Sequence, residues 1–248
     1  MKDGKVNYMK KYICTIVFDG KKDIHEEVID LLEKFKVIHC VNESNNINFE
    51  YYENLARKIG TLALMEEDLN TGNKNGNFFT NIKYPVNFTS SSYSYSNTRQ
   101  PLHTDGSYEF NAPTITFFGC LQKAKYGGAT TFIENDFLIE VLEYYDKKLL
   151  KDLTSNIIDF SKGNDCKKTF IIDEKNFLNW NYYRCERNKI TNEFHNFLEE
   201  KIIASGLVDS IILNNGDALF FKDNKVLHGR NSFIGERWLM KGGIHERL

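Results

Sequence analysis

The sequence lacks the patterns that mark several common protein classes. No two of its cysteines form a C-x-x-C pair, which argues against a zinc ribbon and against the disulfide framework of a secreted domain. The five cysteines are scattered: Cys14, Cys40, Cys120, Cys166 and Cys185. No run of 18 apolar residues occurs, and the basic first twenty residues hold no long apolar segment. We therefore expect neither a transmembrane helix nor a secretory signal, and we predict a cytoplasmic protein with free thiols.

The chain also has no excess of charge of one sign. It carries 32 basic and 34 acidic residues, with a formal net charge of -2 at pH 7. Without a broad basic field, nucleic acid is not an expected partner. Gly127-Gly128 lacks the lysine and the following helix of a phosphate-binding loop, so we interpret it as a tight turn. No G-x-S-x-G, H-E-x-x-H or Rossmann fingerprint is present.

What the chain does contain is a series of short β signals interrupted by helices. We predict strands at 11–18, 114–122, 129–134, 169–173, 177–183, 217–222 and 237–245. Apolar spacing predicts helices at 24–35, 49–60, 136–152 and 191–205. Strands and helices do not alternate regularly, which favours a β-rich α+β jelly roll with flanking helices over a parallel α/β sheet. The length of 248 residues suits one domain, 1–248.

Residues 66–100 differ in composition from the rest of the chain. They are rich in Asn, Ser and Gly but retain aromatic residues such as Phe78, Tyr84 and Tyr93. Disordered segments are usually poor in aromatics, so we predict a functional loop, a lid over an active site. A disordered insertion is the alternative.

A possible metal site begins at His103-Thr104-Asp105. In an extended segment residues i and i+2 point to the same side, so His103 and Asp105 can meet one ion. His228 follows a later strand and can supply a third ligand. Two histidines and one carboxylate form the facial triad of non-heme Fe(II) oxygenases, which leaves open coordination positions. By itself an H-x-D motif is also compatible with a strand-end turn that carries a surface histidine.

The surrounding blocks resemble a known family. PLHTDGSYE, CLQKAKYGGATTF and GDALFFKDNKVLHGRNSFIGERWLMKGGI, in this order across residues 99–245, are similar to the taurine dioxygenase/clavaminate synthase-like family of Fe(II)- and 2-oxoglutarate-dependent oxygenases. The resemblance implies a double-stranded β-helix core, a cupin-like barrel with the metal at one mouth. It also implies Fe(II) as cofactor, 2-oxoglutarate as co-substrate and O₂.

The resemblance also assigns roles to individual residues. His103, Asp105 and His228 match the metal ligands of the family. Arg237 matches the arginine that grips the far carboxylate of 2-oxoglutarate, and Thr130 matches a threonine that hydrogen-bonds the same group. A guanidinium fork suits a carboxylate because it donates two parallel hydrogen bonds. Taken alone, Arg237 would be better interpreted as a solvated charge on a β-strand, but its place after HGR and within RWL favours the functional role; Thr130 is also compatible with an ordinary strand residue.

Two further residues are candidates for binding the primary substrate. Lys241 stands where the family often has an arginine for an anionic substrate group, and it shares a strand face with Arg237 if the strand is regular. Lysine keeps the charge and loses the bidentate fork, and a surface lysine is the alternative. Arg99 lies four residues before His103, on an approach that lines the substrate pocket in the family.

These features together predict an enzyme. We expect an Fe(II)/2-oxoglutarate-dependent oxygenase that hydroxylates or desaturates a small anionic substrate, such as an amino acid or derivative, and releases succinate and CO₂. The alternative is a non-catalytic jelly-roll module that binds a small anion or a structural metal. Halogenation is disfavoured because halogenases of this type have a small residue in place of the carboxylate, and Asp105 is present.

Overall fold

The computed structural model describes residues 12–44, 49–67, 74–85 and 95–246. The strands are β1 (Ile13–Phe18), β2 (Val37–Asn42), β3 (Gly60–Ala63), β4 (Phe79–Tyr84), β5 (Gln100–His103), β6 (Ile115–Gln122), β7 (Tyr126–Gly127), β8 (Thr130–Glu134), β9 (Ile158–Lys162), β10 (Asp165–Thr169), β11 (Asp209–Ile211), β12 (Ala218–Lys222), β13 (Val226–Arg230), β14 (Phe233–Ile234) and β15 (Arg237–Glu246). The helices are α1 (His25–Lys34), α2 (Phe49–Ile59), α3 (Asn135–Tyr145), α4 (Lys147–Ser155) and α5 (Lys189–Phe197), which a π-helical segment, Leu198–Ile203, continues.

Two sheets form the centre of the fold. The larger has seven strands in the order β1-β2-β12-β6-β15-β3, with β4 also paired to β15. The smaller has four strands in the order β11-β8-β13-β5. Apart from the parallel pair β1-β2, the neighbouring strands in both sheets run antiparallel. Strands that follow one another in the chain, such as β4, β5 and β6, alternate between the two sheets.

Alternation along the strands divides the apolar residues between the two faces of each sheet. On β12, Leu219 and Phe221 belong to the cluster between the sheets, which also contains Phe132 of β8. Ala218 and Phe220 belong instead to a cluster with the buried residues of α1 and α2. These two helices therefore cover the outer face of the larger sheet.

The outer face of the smaller sheet has its own cover. Ile133 of β8 and Leu227 of β13 point away from the first sheet and pack in a cluster with residues of α3, α4 and α5. Trp180, which is fully buried, stacks edge-on against Phe194 of α5 in this cluster. The architecture is thus two sheets between two layers of helices, and the predicted β-rich α+β fold with flanking helices is confirmed. The strands described form no closed barrel.

Several boundaries differ from the sequence-based expectation. The strands predicted at 169–173 and 177–183 are wrong. The hairpin here is β9-β10, 158–169, and between β10 and α5 the chain forms only isolated bridges. Backbone groups in the later stretch are satisfied individually, as when Trp180 O accepts from Thr104 N at 2.6 Å. The single helix predicted at 136–152 is two helices. Asp146 separates them and caps α4 by accepting a hydrogen bond from Leu149 N at 2.9 Å.

Within the predicted lid, 66–100, the structure contains a strand. β4 pairs with β15 along its whole length, from Phe79 opposite Gly242 to Tyr84 opposite Arg237. Residues 68–73 and 86–94 of this segment lie outside the described residues. No helix in the described ranges has the length and hydropathy that a bilayer crossing requires.

Candidate metal centre

The two distant histidines meet through the pairing of β5 with β13. His103 is the last residue of β5, and it lies directly opposite His228 in the antiparallel register. Asp105 follows two residues later, where Thr104 N and Oγ1 both lie within hydrogen-bond distance of Trp180 O. Asp105 Oδ1 is 3.7 Å from His103 Nε2, and Asp105 Oδ2 is 3.7 Å from His228 Nε2. One donor atom from each of the three residues lies within 4.8 Å of the others.

The close approach of the two strands depends on Gly229. A Cβ at this position would lie 2.7 Å from the carbonyl oxygen of Gln100 on β5, closer than real Cβ atoms come to backbone. The absence of a side chain therefore lets β13 lie close enough to β5 for the two imidazole rings to sit 4.2 Å apart, centroid to centroid.

The protonation states of the three residues fit a divalent metal. Burial, and then the neighbouring His228, lower the pKa of His103 to about 4. Burial likewise lowers the pKa of His228 to about 4, so both imidazoles are neutral at pH 7. Burial alone would raise the pKa of the Asp105 carboxyl, but Lys241 and the two imidazoles hold it below its usual range. Two neutral imidazoles and one carboxylate are the donor set of a facial-triad Fe(II) site.

Buried polar groups contact the ligating residues from behind. His103 Nδ1 lies 2.9 Å from Pro101 O, which leaves Nε2 directed at Asp105. Thr116 Oγ1 donates to Asp105 Oδ2 at 3.3 Å. Such contacts fix the tautomer and the orientation of metal ligands.

Asp223 is a site residue that the sequence analysis missed. It directly follows β12, is 3% exposed, and accepts a hydrogen bond from Asp105 N at 2.7 Å. Its Oδ1 lies 3.0 Å from His228 Nδ1, although the two atoms are not aligned as a hydrogen bond. Burial, and then the charge of Asp105, raise the pKa of Asp223 well above that of an ordinary aspartate. The available signal was a lone carboxylate five residues before His228, between two apolar runs.

A cavity opens beside the three residues and is walled by both sheets. It is lined by Ile82, Gln100, His103, Asp105, Phe118, Thr130, His228, Gly229, Arg230, Arg237, Leu239 and Lys241. Three cations, Arg230, Arg237 and Lys241, therefore face one small space. The structure brings six of the seven predicted site residues to this cavity.

Arg237 and Thr130 both line the cavity. Arg237 is the first residue of β15 and is 7% exposed, and Thr130, the first of β8, is 3% exposed. Burial, and then repulsion from Arg230, lower the pKa of Arg237 to about 10. The guanidinium remains charged at pH 7. A buried cation and a hydroxyl that line one cavity are suited to holding a carboxylate.

Lys241 also reaches the cavity. Arg237, Leu239 and Lys241 all line it, so alternation along β15 survives the bulge that its pairing with β6 shows between Trp238 and Leu239. Lys241 Nζ donates a hydrogen bond of 2.6 Å to Asp105 Oδ1. The side chain is 17% exposed, so this lysine is not a freely solvated surface charge.

The structure does not bring Arg99 to the cavity. Its guanidinium forms an ion pair with Glu199 of the π-helical segment, and the side chain is 37% exposed. Arg99 precedes the first residue of β5, so the alternation of the strand does not fix its direction.

Arg230 fastens the chain that leads into β5. Its Nη2 donates to Ser96 O at 2.7 Å and to Thr98 O at 2.9 Å. The carbonyl between them, that of Asn97, accepts from Phe233 N at 3.0 Å. Three consecutive carbonyls are thus held by the segment that follows His228.

Comparison with known proteins agrees with the geometry of the site. The family described as "Taurine catabolism dioxygenase TauD, TfdA family" matches residues 15–203. No curated protein sequence matches significantly. Among solved structures, PvcB from Pseudomonas aeruginosa has a TM-score of 0.69 and 14% identity, over 95% of this chain and 86% of that one.

Two further solved structures are similar and contain ligands. An asparagine oxygenase in complex with Fe(II), 2S,3S-3-hydroxyasparagine and succinate has a TM-score of 0.68 and 11% identity, over 93% of each chain. The non-heme iron oxygenase OrfP in complex with Fe and alpha-ketoglutaric acid has a TM-score of 0.64 and 13% identity, over 90% of this chain and 80% of that one. At these identities the likeness establishes a shared fold.

Proposed function

Since the chain belongs to the TauD, TfdA dioxygenase family, we propose that it is an Fe(II)- and 2-oxoglutarate-dependent oxygenase acting on a small anionic substrate. The predicted family and enzyme class are confirmed by the family match over residues 15–203. The match ends before His228, Arg237 and Lys241, so the roles of these residues rest on geometry. The observation that carries the proposal is the direct pairing of His103 with His228 beside Asp105, at a cavity that also holds Arg237.

In this proposal His103, Asp105 and His228 hold the metal. Both imidazoles are neutral at pH 7 and the carboxylate is ionised, so no proton has to leave before a cation binds. Fe(II), when bound, would supply the redox chemistry by which O₂ and 2-oxoglutarate yield succinate and CO₂ as the substrate is hydroxylated at a C–H bond, or loses two hydrogens with release of water. The protein binds and orients the reactants and excludes water around them.

Arg237 and Thr130 are proposed to bind the far carboxylate of 2-oxoglutarate. The guanidinium is buried and repelled by Arg230, so a dianion that enters the cavity relieves both costs. A planar fork and a hydroxyl give the carboxylate three donors. This anchoring directs the 2-oxo acid end of the molecule toward the metal ligands.

The anionic substrate is inferred from the charges around the cavity. Arg230, Arg237 and Lys241 face a space whose lining has Asp105 as its carboxylate, with Asp223 behind it. Three cations that line one small space favour a ligand of opposite charge, because each buried positive charge is stabilised by a nearby anion. A substrate carboxylate, sulfonate or phosphate supplies such an anion. The asparagine oxygenase of similar fold binds a hydroxylated amino acid, in keeping with an amino acid or derivative here.

The fold and the lid have a finer interpretation. β4, β15, β6 and β12 are adjacent in one sheet, and β5, β13, β8 and β11 in the other. We infer that these eight strands form the double-stranded β-helix expected from the sequence. Within 66–100, β4 is fixed in the sheet by its pairing with β15, so we keep only the rest of this segment as a proposed lid, whose fixed end is the stretch of three carbonyls held by Arg230 and Phe233.

An anaerobic titration tests the proposed function. Fe(II) and 2-oxoglutarate should together produce the weak visible charge-transfer band of a metal–keto-acid complex. His228→Ala should abolish it, whereas His25→Ala, a change at the exposed start of α1, should not. A non-catalytic anion-binding or metal-binding module would give no band. Succinate formation above the uncoupled background, screened over amino acids and small acids, then identifies the substrate.

A further inference from the structure

We propose that Asp223 is a positioning residue that sets His228 in the tautomer needed for metal binding and ties it to Asp105. The inference rests on the proposed function only in taking His228 and Asp105 as metal ligands. Asp223 directly follows β12, which belongs to the larger sheet, and precedes β13, which carries His228 in the smaller one. Its backbone N donates to Thr114 O at 3.0 Å, just before β6. The side chain is thereby held between the two ligand-bearing segments.

The two oxygens of Asp223 face different partners. Oδ2 accepts from the backbone N–H of Asp105 at 2.7 Å, which fixes the chain from which the ligating carboxylate projects. Oδ1 lies 3.0 Å from His228 Nδ1. Asp223 Oδ1 and His228 Nδ1 are both buried, and neither has another hydrogen-bond partner within the described part of the chain. A small rotation of the ring or the carboxylate aligns them, and each then satisfies the other.

The direction of this contact decides which nitrogen of His228 can bind metal. Metal binding through Nε2 requires that Nε2 keep its lone pair, which places the ring proton on Nδ1, where an Asp223 Oδ1 with no proton of its own accepts it. His228 Nε2 is the nitrogen that faces Asp105 Oδ2, at 3.7 Å. His103 obtains the same tautomer from a backbone carbonyl, Pro101 O, at 2.9 Å from its Nδ1. The two histidines are thus fixed by different kinds of acceptor.

An asparagine at position 223 could not perform both tasks. Its amide has one oxygen and one NH₂ group, so one of the two partners, both N–H donors, would face another donor. If NH₂ faced His228, it would favour the tautomer protonated at Nε2, which cannot ligate. Only a carboxylate of this size accepts from both.

The test compares two buried aspartates that bracket β12. Asp223→Asn should weaken anaerobic Co(II) or Fe(II) binding about 10- to 100-fold, the usual loss when a partner of a metal ligand is removed. Asp217→Asn is the matched control. Asp217 is fully buried at the other end of the strand and accepts from Asn42 N, Asn214 N and His39 instead. Asp217→Asn should change the free energy of unfolding and leave metal affinity unaltered.

Wild-type affinity in folded Asp223→Asn protein overturns the proposal. If this variant does not fold, ¹⁵N-histidine NMR of the wild-type chain with Zn(II) gives the answer. His228 should be protonated at Nδ1 and metal-bound through Nε2, and the reverse assignment overturns the proposal. Neither readout needs 2-oxoglutarate. A wild-type chain that binds metal but gives no charge-transfer band would contradict the proposed function and leave this inference standing.

Discussion

Replacing Arg237 by leucine tests the proposed 2-oxoglutarate pocket most directly. The guanidinium is 7% exposed, so its hydrogen bonds to a bound carboxylate would be sheltered from water. A hydrogen bond to a charged group contributes roughly 1.5–3 kcal/mol, and a difference of 1.4 kcal/mol is tenfold in Kd. Arg237→Leu should therefore raise the Kd for 2-oxoglutarate about 10- to 150-fold.

The same substitution should be mild for the folded chain without ligands. Arg237 is repelled by Arg230, and its guanidinium lies 5.6 Å from the centroid of the Phe233 ring. Leucine removes the repulsion along with this weak attraction. We therefore expect the free energy of unfolding to change by no more than about 1–2 kcal/mol.

The assay follows the charge-transfer band of the anaerobic Fe(II) protein as 2-oxoglutarate is added. Arg57→Leu is the matched control, because Arg57 forms an ion pair with Glu53 on the solvent-exposed face of α2, and Arg57 is not among the residues that line the cavity. It should bind 2-oxoglutarate as the wild type does. An unchanged Kd in folded Arg237→Leu protein would refute the assignment. Equal losses for 2-oxoglutarate and the primary substrate would point to general disruption instead.

The remaining predictions concern the metal ligands and Lys241. His103→Ala should abolish substrate-coupled succinate formation, and turnover near the wild-type rate would remove His103 from the site. Asp105→Gly should end hydroxylation. Hydroxylation that persists in this variant without an added small anion would show that Asp105 is not a ligand. Lys241→Met should weaken substrate binding by about an order of magnitude or more and spare 2-oxoglutarate, while Lys241→Arg should keep partial function. Methionine is preferable to glutamate there, because Nζ lies 2.6 Å from Asp105 Oδ1 and a new carboxylate would compete for the metal. Unaltered substrate affinity in Lys241→Met would contradict the anionic substrate. Finally, the metal-free chain should lose stability as pH falls from 6.5 to about 4, since unfolded His103 and His228 take up protons in that range and the folded residues do not. Denaturant midpoints should be less dependent on pH in His103→Ala/His228→Ala protein, and an equal dependence would refute the cause.

The sequence predicted the positions that local rules govern. Alternation along one strand placed Arg237 and Lys241 on a common face, and both line the cavity. The i, i+2 spacing brought His103 and Asp105 together, with donor atoms 3.7 Å apart. The first outcome needs only the geometry of an extended strand, whereas Asp105 lies in the turn that follows β5.

The features that the sequence did not predict depend on tertiary contacts. The pairing of His228 with His103 joins residues far apart in the chain, so no local rule predicted it; the facial-triad donor set and the family resemblance indicated only that both residues bind one metal. Asp223 was missed because its role depends on contacts with both Asp105 and His228. Arg99 was placed by its nearness to His103 in sequence, but Glu199 binds its guanidinium outside the cavity.

The bare backbone at Gly229 limits how the cavity can be redesigned. A side chain there would push Gln100, and with it β5, away from β13, so the two histidines would separate before the pocket gained any space. Ile82 and Leu239 line the same cavity from the opposite sheet, on β4 and β15. A library intended to change substrate preference should vary Ile82 and Leu239 and leave Gly229 constant. Changes at Ile82 and Leu239 can reshape the substrate space without moving the strands that carry the metal ligands, whereas a change at Gly229 alters both.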